Sequence, residues 1–214
     1  PTPIPEPTKK PLSNWDLRLG GDFGVTGVPN TNPMDTGFMY GPNASLDVWF
    51  PKMGPIRLGL DLHGDYQMYQ ADKFTNPANL ARLTAGGGLN WRILGADSDE
   101  DVSLVLGVGY DYMSFLGTGY SYANHGPRGK LGLEIPVGPY FSIVGRNAFT
   151  YFPFKNAGIN DNVTWKNDAF VGVTIPAYTL FAVELGYRDT RYMLDGNQTM
   201  FGNMGGELNL RFRF

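Results

Sequence analysis

Residues 56–68 read Ile56-Arg57-Leu58-Gly59-Leu60-Asp61-Leu62-His63-Gly64-Asp65-Tyr66-Gln67-Met68. Successive side chains of a β-strand point to opposite faces. Ile56, Leu58, Leu60, Leu62, Tyr66 and Met68 therefore share one face, and Arg57, Gly59, Asp61, His63, Asp65 and Gln67 share the other. One face suits an apolar medium and the other a polar one, which is the period-two signature of a half-buried strand.

The same alternation extends in both directions. Upstream, Trp15, Leu17, Leu19, Phe23 and Val25 oppose Asp16, Arg18 and Asp22, and Ala44, Leu46, Val48 and Phe50 oppose Ser45, Asp47 and Trp49. Downstream, Leu83, Leu89, Trp91 and Ile93 oppose Arg82, Asn90 and Arg92, and Leu104, Leu106, Val108, Tyr110 and Tyr112 oppose Ser103 and Asp111. Further segments lie around 128–135, 141–151, 168–175 and 181–188, and the chain ends on an alternating run from Met204 to Phe214. The segment at 141–151 is the least regular, because Asn147 falls on its apolar side. The pattern predicts an all-β, antiparallel, up-and-down transmembrane barrel of ten strands, with eight as the alternative count.

Connections are expected to alternate in length. Tight turns are expected at 51–55, 95–100, 136–139 and 176–178, and longer polar loops at 26–38, 70–79, 116–124, 154–166 and 193–200. Short turns on the periplasmic side and long loops outside are the rule for outer-membrane barrels. An even strand count then puts both termini in the periplasm. Residues 1–13 read as a Pro-rich periplasmic arm and 14–214 as the barrel, with prolines at 1, 3, 5, 7 and 11 favouring an extended polyproline II segment. Residues 1–11 are the expected docking point for a periplasmic protein.

Composition narrows the alternatives. The 214 residues contain no cysteine, which excludes disulfides and thiolate chemistry. A net charge of -3 provides no basic surface for nucleic acid. The 29 glycines are about twice the usual share of roughly 7%. Mean hydropathy is -0.23, as expected when lipid-facing and lumen-facing residues alternate and cancel. No apolar run reaches the length of a membrane helix.

The outward aromatics form two levels. Trp15, Phe50, Trp91, Phe141 and Phe181 fall near the short-turn end, and Tyr66, Tyr110, Tyr112, Tyr151 and Tyr187 fall near the long-loop end, as membrane interfaces select. The final residues Leu208-Asn209-Leu210-Arg211-Phe212-Arg213-Phe214 resemble the C-terminal signal of bacterial outer-membrane β-barrels. That resemblance implies an outer-membrane location among lipid and lipopolysaccharide. It also implies recognition of Leu208, Leu210, Phe212 and Phe214 by the barrel assembly machinery.

The inward register carries the charge. Asp16, Asp22, Asp47, Asp61, Asp65, Asp111, Glu134, Asp168, Glu184 and Glu207 face Arg18, Arg57, Arg82, Arg92, Arg128, Lys130, Arg146, Arg188, Arg211 and Arg213. Charges held in a narrow interior are costly unless paired, so near-equal numbers predict a salt-bridged, largely plugged lumen. Trp49 and Phe170 read as lumen packing, and Gly86-Gly87-Gly88 as a place of close backbone approach.

Asp61, His63 and Asp65 are the one candidate catalytic trio, since a carboxylate beside a His can prepare it as a general base. Omptin proteases are ten-stranded barrels that use acidic residues and a His, but theirs gather at the extracellular rim from separate strands, whereas this trio lies within one strand. His125 reads as a loop-end residue beside Gly126-Pro127. No cofactor or metal is expected. The leading expectation is a non-enzymatic structural element or envelope anchor. A narrow pore for ions or small solutes is the alternative, and an omptin-like surface protease comes third.

Overall fold

A computed structural model describes residues 12–28, 35–70, 80–117, 120–154, 163–178, 181–194 and 200–214. The Pro-rich stretch 1–11, with the docking role expected of it, lies outside them.

Ten strands follow in order: β1 Trp15–Val28, β2 Asp35–Trp49, β3 Arg57–Gln70, β4 Leu80–Leu94 and β5 Ser103–Gly117 make the first half. The second half is β6 Tyr120–Val137, β7 Phe141–Tyr151, β8 Val163–Pro176, β9 Phe181–Leu194 and β10 Met200–Arg213. Each pairs antiparallel with its neighbours in sequence, and β1 pairs with β10 to close the sheet. The closure runs from Asp16↔Arg213 through Leu19↔Leu210 to Gly27↔Gly202. Beyond it, the Phe214 carbonyl accepts from the amides of Asn14 (2.6 Å) and Trp15 (3.0 Å), which leaves no open seam at that end. Ten strands replace the eight of the alternative count, and both described termini lie at one end of the barrel.

The alternation sorts residues as the pleat requires. Trp15, Leu19, Leu62, Leu106, Val108, Tyr110, Leu131, Leu185, Leu208, Leu210 and Phe214 are exposed on the outer wall, while Asp16, Arg18, Asp47, Asp61, Arg82, Asp111, Glu184 and Arg211 are buried in the lumen. Asn147 stands on the outer wall of β7, where its Nδ2 donates to Asn167 Oδ1 of β8 at 3.1 Å.

Several expectations need correction: residues 26–28 and 35–38 of the loop expected at 26–38, and 163–166 of that expected at 154–166, belong to strands. The loop expected at 116–124 is mostly barrel wall: β5 continues to Gly117, β6 starts at Tyr120, and Leu116↔Ser121 and Gly117↔Tyr120 extend their ladder. Polar and glycine residues there mimic a loop, but cross-strand pairing overrides local composition. Likewise, β4 and β5 are separated by residues 95–102, a longer connection than the turn expected there. Connection length therefore distinguishes the two ends less than expected. The wall itself provides the asymmetry, because the lower aromatics lie at strand ends while Tyr110 and Tyr112 lie mid-strand. From Tyr112 to Gly117, at about 3.4 Å per residue and a tilt of about 40°, the wall rises roughly 13 Å beyond the upper aromatic level. His125 consequently lies within β6, on the outer wall, next to the Tyr110 hydroxyl and stacked 4.8 Å from Phe154.

This placement yields a contrast on one strand. Leu106 lies within the apolar band and Leu116 above it, and both are exposed. Leu106→Arg is expected to cost about 2–4 kcal/mol and Leu116→Arg about 0–1 kcal/mol, measured by reversible unfolding from lipid bilayers. Equal costs would show that the projecting wall lies within the membrane.

Candidate functional site: the charged lumen

The site is the barrel interior, and inward positions of all ten strands build it. Nearest the termini, Asp16 accepts from Arg211 at 2.5 and 2.9 Å and from Arg18 at 3.0 Å. Glu134 accepts from Arg213 at 2.6 Å and Arg211 at 3.0 Å. Asp47 accepts from Arg18 (3.1 Å), Lys130 (3.0 Å) and Asn90 (2.6 Å), which joins β1, β2, β4 and β6 across the lumen.

Above this tier, Arg146 bridges Glu184 (2.7 Å) and Glu207 (3.0 Å), and Asn209 donates to the same two carboxylates. Arg188 grips Asp168 at 2.5 and 2.9 Å and Asp22 at 2.5 Å. Arg82 pairs with Asp65, and Arg128 pairs with Asp61. Every expected carboxylate of the inward register thus meets a cation. Burial of such pairs costs most of what their attraction returns, so they serve to prevent unpaired charge in the interior rather than to add large net stability.

Two expected members stand apart. Arg57 donates to the Phe50 carbonyl (2.6 Å) and Asn14 Oδ1 (2.5 Å) instead of a carboxylate, and Arg92 lies 3.7 Å from Asp99 with its guanidinium over the Trp49 ring. Both sit at the terminus-side mouth. There Asp99 also accepts from the Ser13 amide (3.2 Å) and hydroxyl (2.8 Å), holding residues 12–14 across the opening.

The His63 environment differs from the trio read in the sequence. Asp65 turns to Arg82 and lies 3.9 Å from Arg188, so it is not a His63 partner. Its place is taken by Asp111 of β5, 3.3 Å from His63 Nε2, while Nδ1 lies 3.6 Å from Asp61 and 2.6 Å from Arg128 Nη1. Three strands converge here because Gly86 leaves room, since a Cβ at that position would stand 2.6 Å from the His63 ring. Both ring nitrogens face charged lumen groups. Asp111 further accepts from Thr150 (2.7 Å) and lies 3.7 Å from Lys166, a buried cation that the expected loop at 154–166 concealed.

Aromatic side chains complete the filling. Phe170 lies beneath the Arg146 guanidinium at 4.2 Å, a cation–π arrangement, and its ring occupies the space that side chains at Gly172 and Gly186 would need. Towards the projecting wall, Gln67, Tyr69 and Asn203 form a hydrogen-bonded group above Asp22. Beside it, on the β5 and β7–β9 side of the lumen, lies an apolar cluster of Met113, Phe115, Phe152, Val163 and Tyr192. Met113 and Tyr192 are 0% exposed, Phe115 and Tyr192 meet edge to face at 6.3 Å, and Arg82 lies 5.3 Å from the Tyr192 ring centre. Met113 and Phe115 continue the inward parity of β5 beyond Asp111, Phe152 that of β7 beyond Thr150, and Tyr192 that of β9 beyond Arg188, which is the signal in the sequence that pointed to this cluster. Among the described residues, no group of His and carboxylate side chains is arranged to hold a metal ion.

A closed ten-stranded barrel with an apolar outer wall and a charged interior defines the outer-membrane β-barrel class, and this chain has that fold. Its structure is similar to that of an outer-membrane channel from Pseudomonas putida F1, with TM-score 0.53, 10% identity and 98% of each chain covered. Looser likenesses are to the outer-membrane protease OmpT of Escherichia coli (TM-score 0.47, 11% identity, 100% of each chain) and to OprG of Pseudomonas aeruginosa. The latter has TM-score 0.43 and 11% identity and covers 95% of this chain and 98% of its own. No family model and no curated protein matches the sequence. At such identities the likeness concerns the fold.

Arg188 tests the pairing. It touches Asp22 and Asp168 and is 12% exposed at its side chain, so Arg188→Met is expected to strand two carboxylates and cost about 3–5 kcal/mol in lipid-bilayer unfolding. The double variant Arg188→Met, Asp168→Leu should recover part of that loss. No loss in the single variant would mean that water solvates these carboxylates.

Proposed function

We propose that this chain is a non-enzymatic outer-membrane barrel with a closed lumen, serving as a structural element or membrane anchor of the cell envelope. One observation carries the reading: paired charges fill the interior from Arg213 to Asp65, and the Met113, Phe115, Phe152, Val163 and Tyr192 cluster, with Gln67, Tyr69 and Asn203 across from it, packs the end of the lumen around the last of them. Hydration of an ion passing this route requires breaking paired charges and wetting an apolar constriction, two barriers in series. The His63 cluster lies beneath that packed end, an unsuitable position for cleaving an external protein. Assembly through the C-terminal strand and a periplasmic position for both termini belong to the same reading. The anchoring role rests on residues 12–14, which Arg57 and Asp99 tie to the barrel mouth, so that a load on residues 1–11 reaches the wall.

A second reading, a narrow pore, has an observation of its own. The side chains of Arg146 (22% exposed), His63 (19%) and Lys130 (18%) keep some contact with solvent-sized space inside the lumen. The similar Pseudomonas putida barrel is a channel.

Planar-bilayer recording separates the two readings. The intact protein is expected to give no stepwise conductance, and Phe115→Ala with Tyr192→Ala to give at most brief openings, because the charge ladder still blocks the path. Adding Arg188→Met to that pair should produce resolved steps. Steady ohmic steps from the unaltered chain would replace the closed-barrel reading with the pore.

A further inference from the structure

The outer wall of β7 to β9 carries a patch that the lumen does not explain. Asn147 donates to Asn167 at 3.1 Å, and Arg191 binds Asp189 through Nε (3.0 Å) and Nη2 (2.9 Å). Register makes the two pairs contiguous: Asn147↔Ala169 and Ala169↔Asp189 form one row, and Asn167↔Arg191 lies in the next. The row below holds Gly145, Val171 and Tyr187, and on β7 Asn147 lies two outward positions below Tyr151, so the patch straddles the upper aromatic level and reaches into the apolar band.

Two physical features bear on what covers it. First, its hydrogen-bonding capacity is unspent. Two carboxamides offer four N–H donors and matching lone pairs, and their mutual bond uses one of each. Second, the adjoining wall has two recesses, at Gly129 and Gly145, set among the exposed side chains of Leu131, Phe149 and Val171. A Cβ added at Gly129 or Gly145 meets no atom within 4 Å, unlike one at Gly20, Gly24 or Gly88, where the backbone of a neighbouring strand stands in the way. Nothing inside the barrel requires these two residues to be small. Small residues on a membrane-facing surface allow two walls to approach closely.

We infer that this face is the contact between two copies of the chain, related by a twofold axis close to Ala169. Charge complementarity selects a second copy as occupant. The patch sums to zero charge, so it offers no net attraction to an anionic lipid headgroup, whereas it is complementary to itself. An isologous contact presents each Asp189 to the opposite Arg191, and amides that both donate and accept meet their equivalents. The recesses at Gly129 and Gly145 then leave room for projecting side chains of the opposite copy, such as its own Leu131 and Phe149. The contact concerns the outer wall alone and holds whether or not the lumen conducts.

The chain contains no cysteine, so single introduced cysteines report unambiguously. With a short bismaleimide on protein reconstituted in phospholipid vesicles at low density, Ala169→Cys is expected to cross-link as a dimer. The control, Leu62→Cys on the far wall in β3, is 60% exposed in the parent residue and should give at least tenfold less. In the Ala169→Cys background, Asp189→Arg or Arg191→Asp alone should lower the yield at least tenfold, and the two together should restore it. Heat-dependent gel mobility verifies that each variant is folded. Single-molecule photobleaching of the cysteine-free chain, labelled at its amino terminus, should show two steps per spot. Equal yields at 62 and 169, single-step bleaching, or yields that ignore the charge exchange would each overturn the dimer. Single-step bleaching with a retained glycolipid in native mass spectra would assign the patch to a headgroup instead.

Discussion

Every backbone N–H and C=O in hydrocarbon must find a partner within the protein, and for a sheet this is possible only if the first and last strands pair. The β1–β10 ladder is that closure, and the rest of the molecule depends on it. It brings residues from opposite ends of the chain into contact: Arg211 bonds Asp16, and Arg188 bonds Asp22. It also converts a two-faced sheet into an inside and an outside. From that point the pleat alone assigns each side chain to lipid or lumen.

Closure with ten strands leaves an interior too narrow for many separately hydrated charges, as it is only slightly wider than the eight-stranded barrels that side chains fill. Pairing follows from that narrowness. The carboxylates are shared among cations from several strands, Asp16 between Arg18 and Arg211 and Asp47 between Arg18 and Lys130. Space for large groups comes from missing side chains opposite them: Gly86 beside His63, and Gly172 and Gly186 beneath Phe170. Charge pairing and glycine placement are thus two parts of one packing solution.

The interior is also layered along its axis. Charged tiers occupy the portion within the membrane band, where an arginine has no water to retreat to. Met113, Phe115, Phe152, Val163 and Tyr192 extend into the projecting portion, with Arg82 and Lys166 in register beside Phe115 and Tyr192 as the uppermost buried charges. The order is the reverse of a soluble protein's, in which apolar groups are central and charge peripheral. Here the solvent outside the wall is apolar, so the polar groups take the centre, and an apolar plug is free to sit where the wall itself stands in water.

Alternation along residues 56–68 and 204–214 determined the strand class, the two faces and the inventory of inward charge, because the side chains of a pleated strand alternate whatever their partners are. The resemblance of the last seven residues to an assembly signal supplied the membrane class. Which charges meet was decided only by tertiary structure. Asp65 and Asp111 are both inward acids near His63 in register, yet Asp111 faces the ring and Asp65 faces Arg82, a choice set by strand order around the lumen and by the room at Gly86. Lys166 and the apolar cluster were hidden because polar or glycine-bearing strand ends look like loops until a neighbouring strand pairs with them, and Asp99 because it lies in the 95–102 connection and meets Ser13 only when the mouth is formed. Local sequence carries the period of the pleat. Partnership between residues as far apart as Asp16 and Arg211 exists only once the sheet has closed.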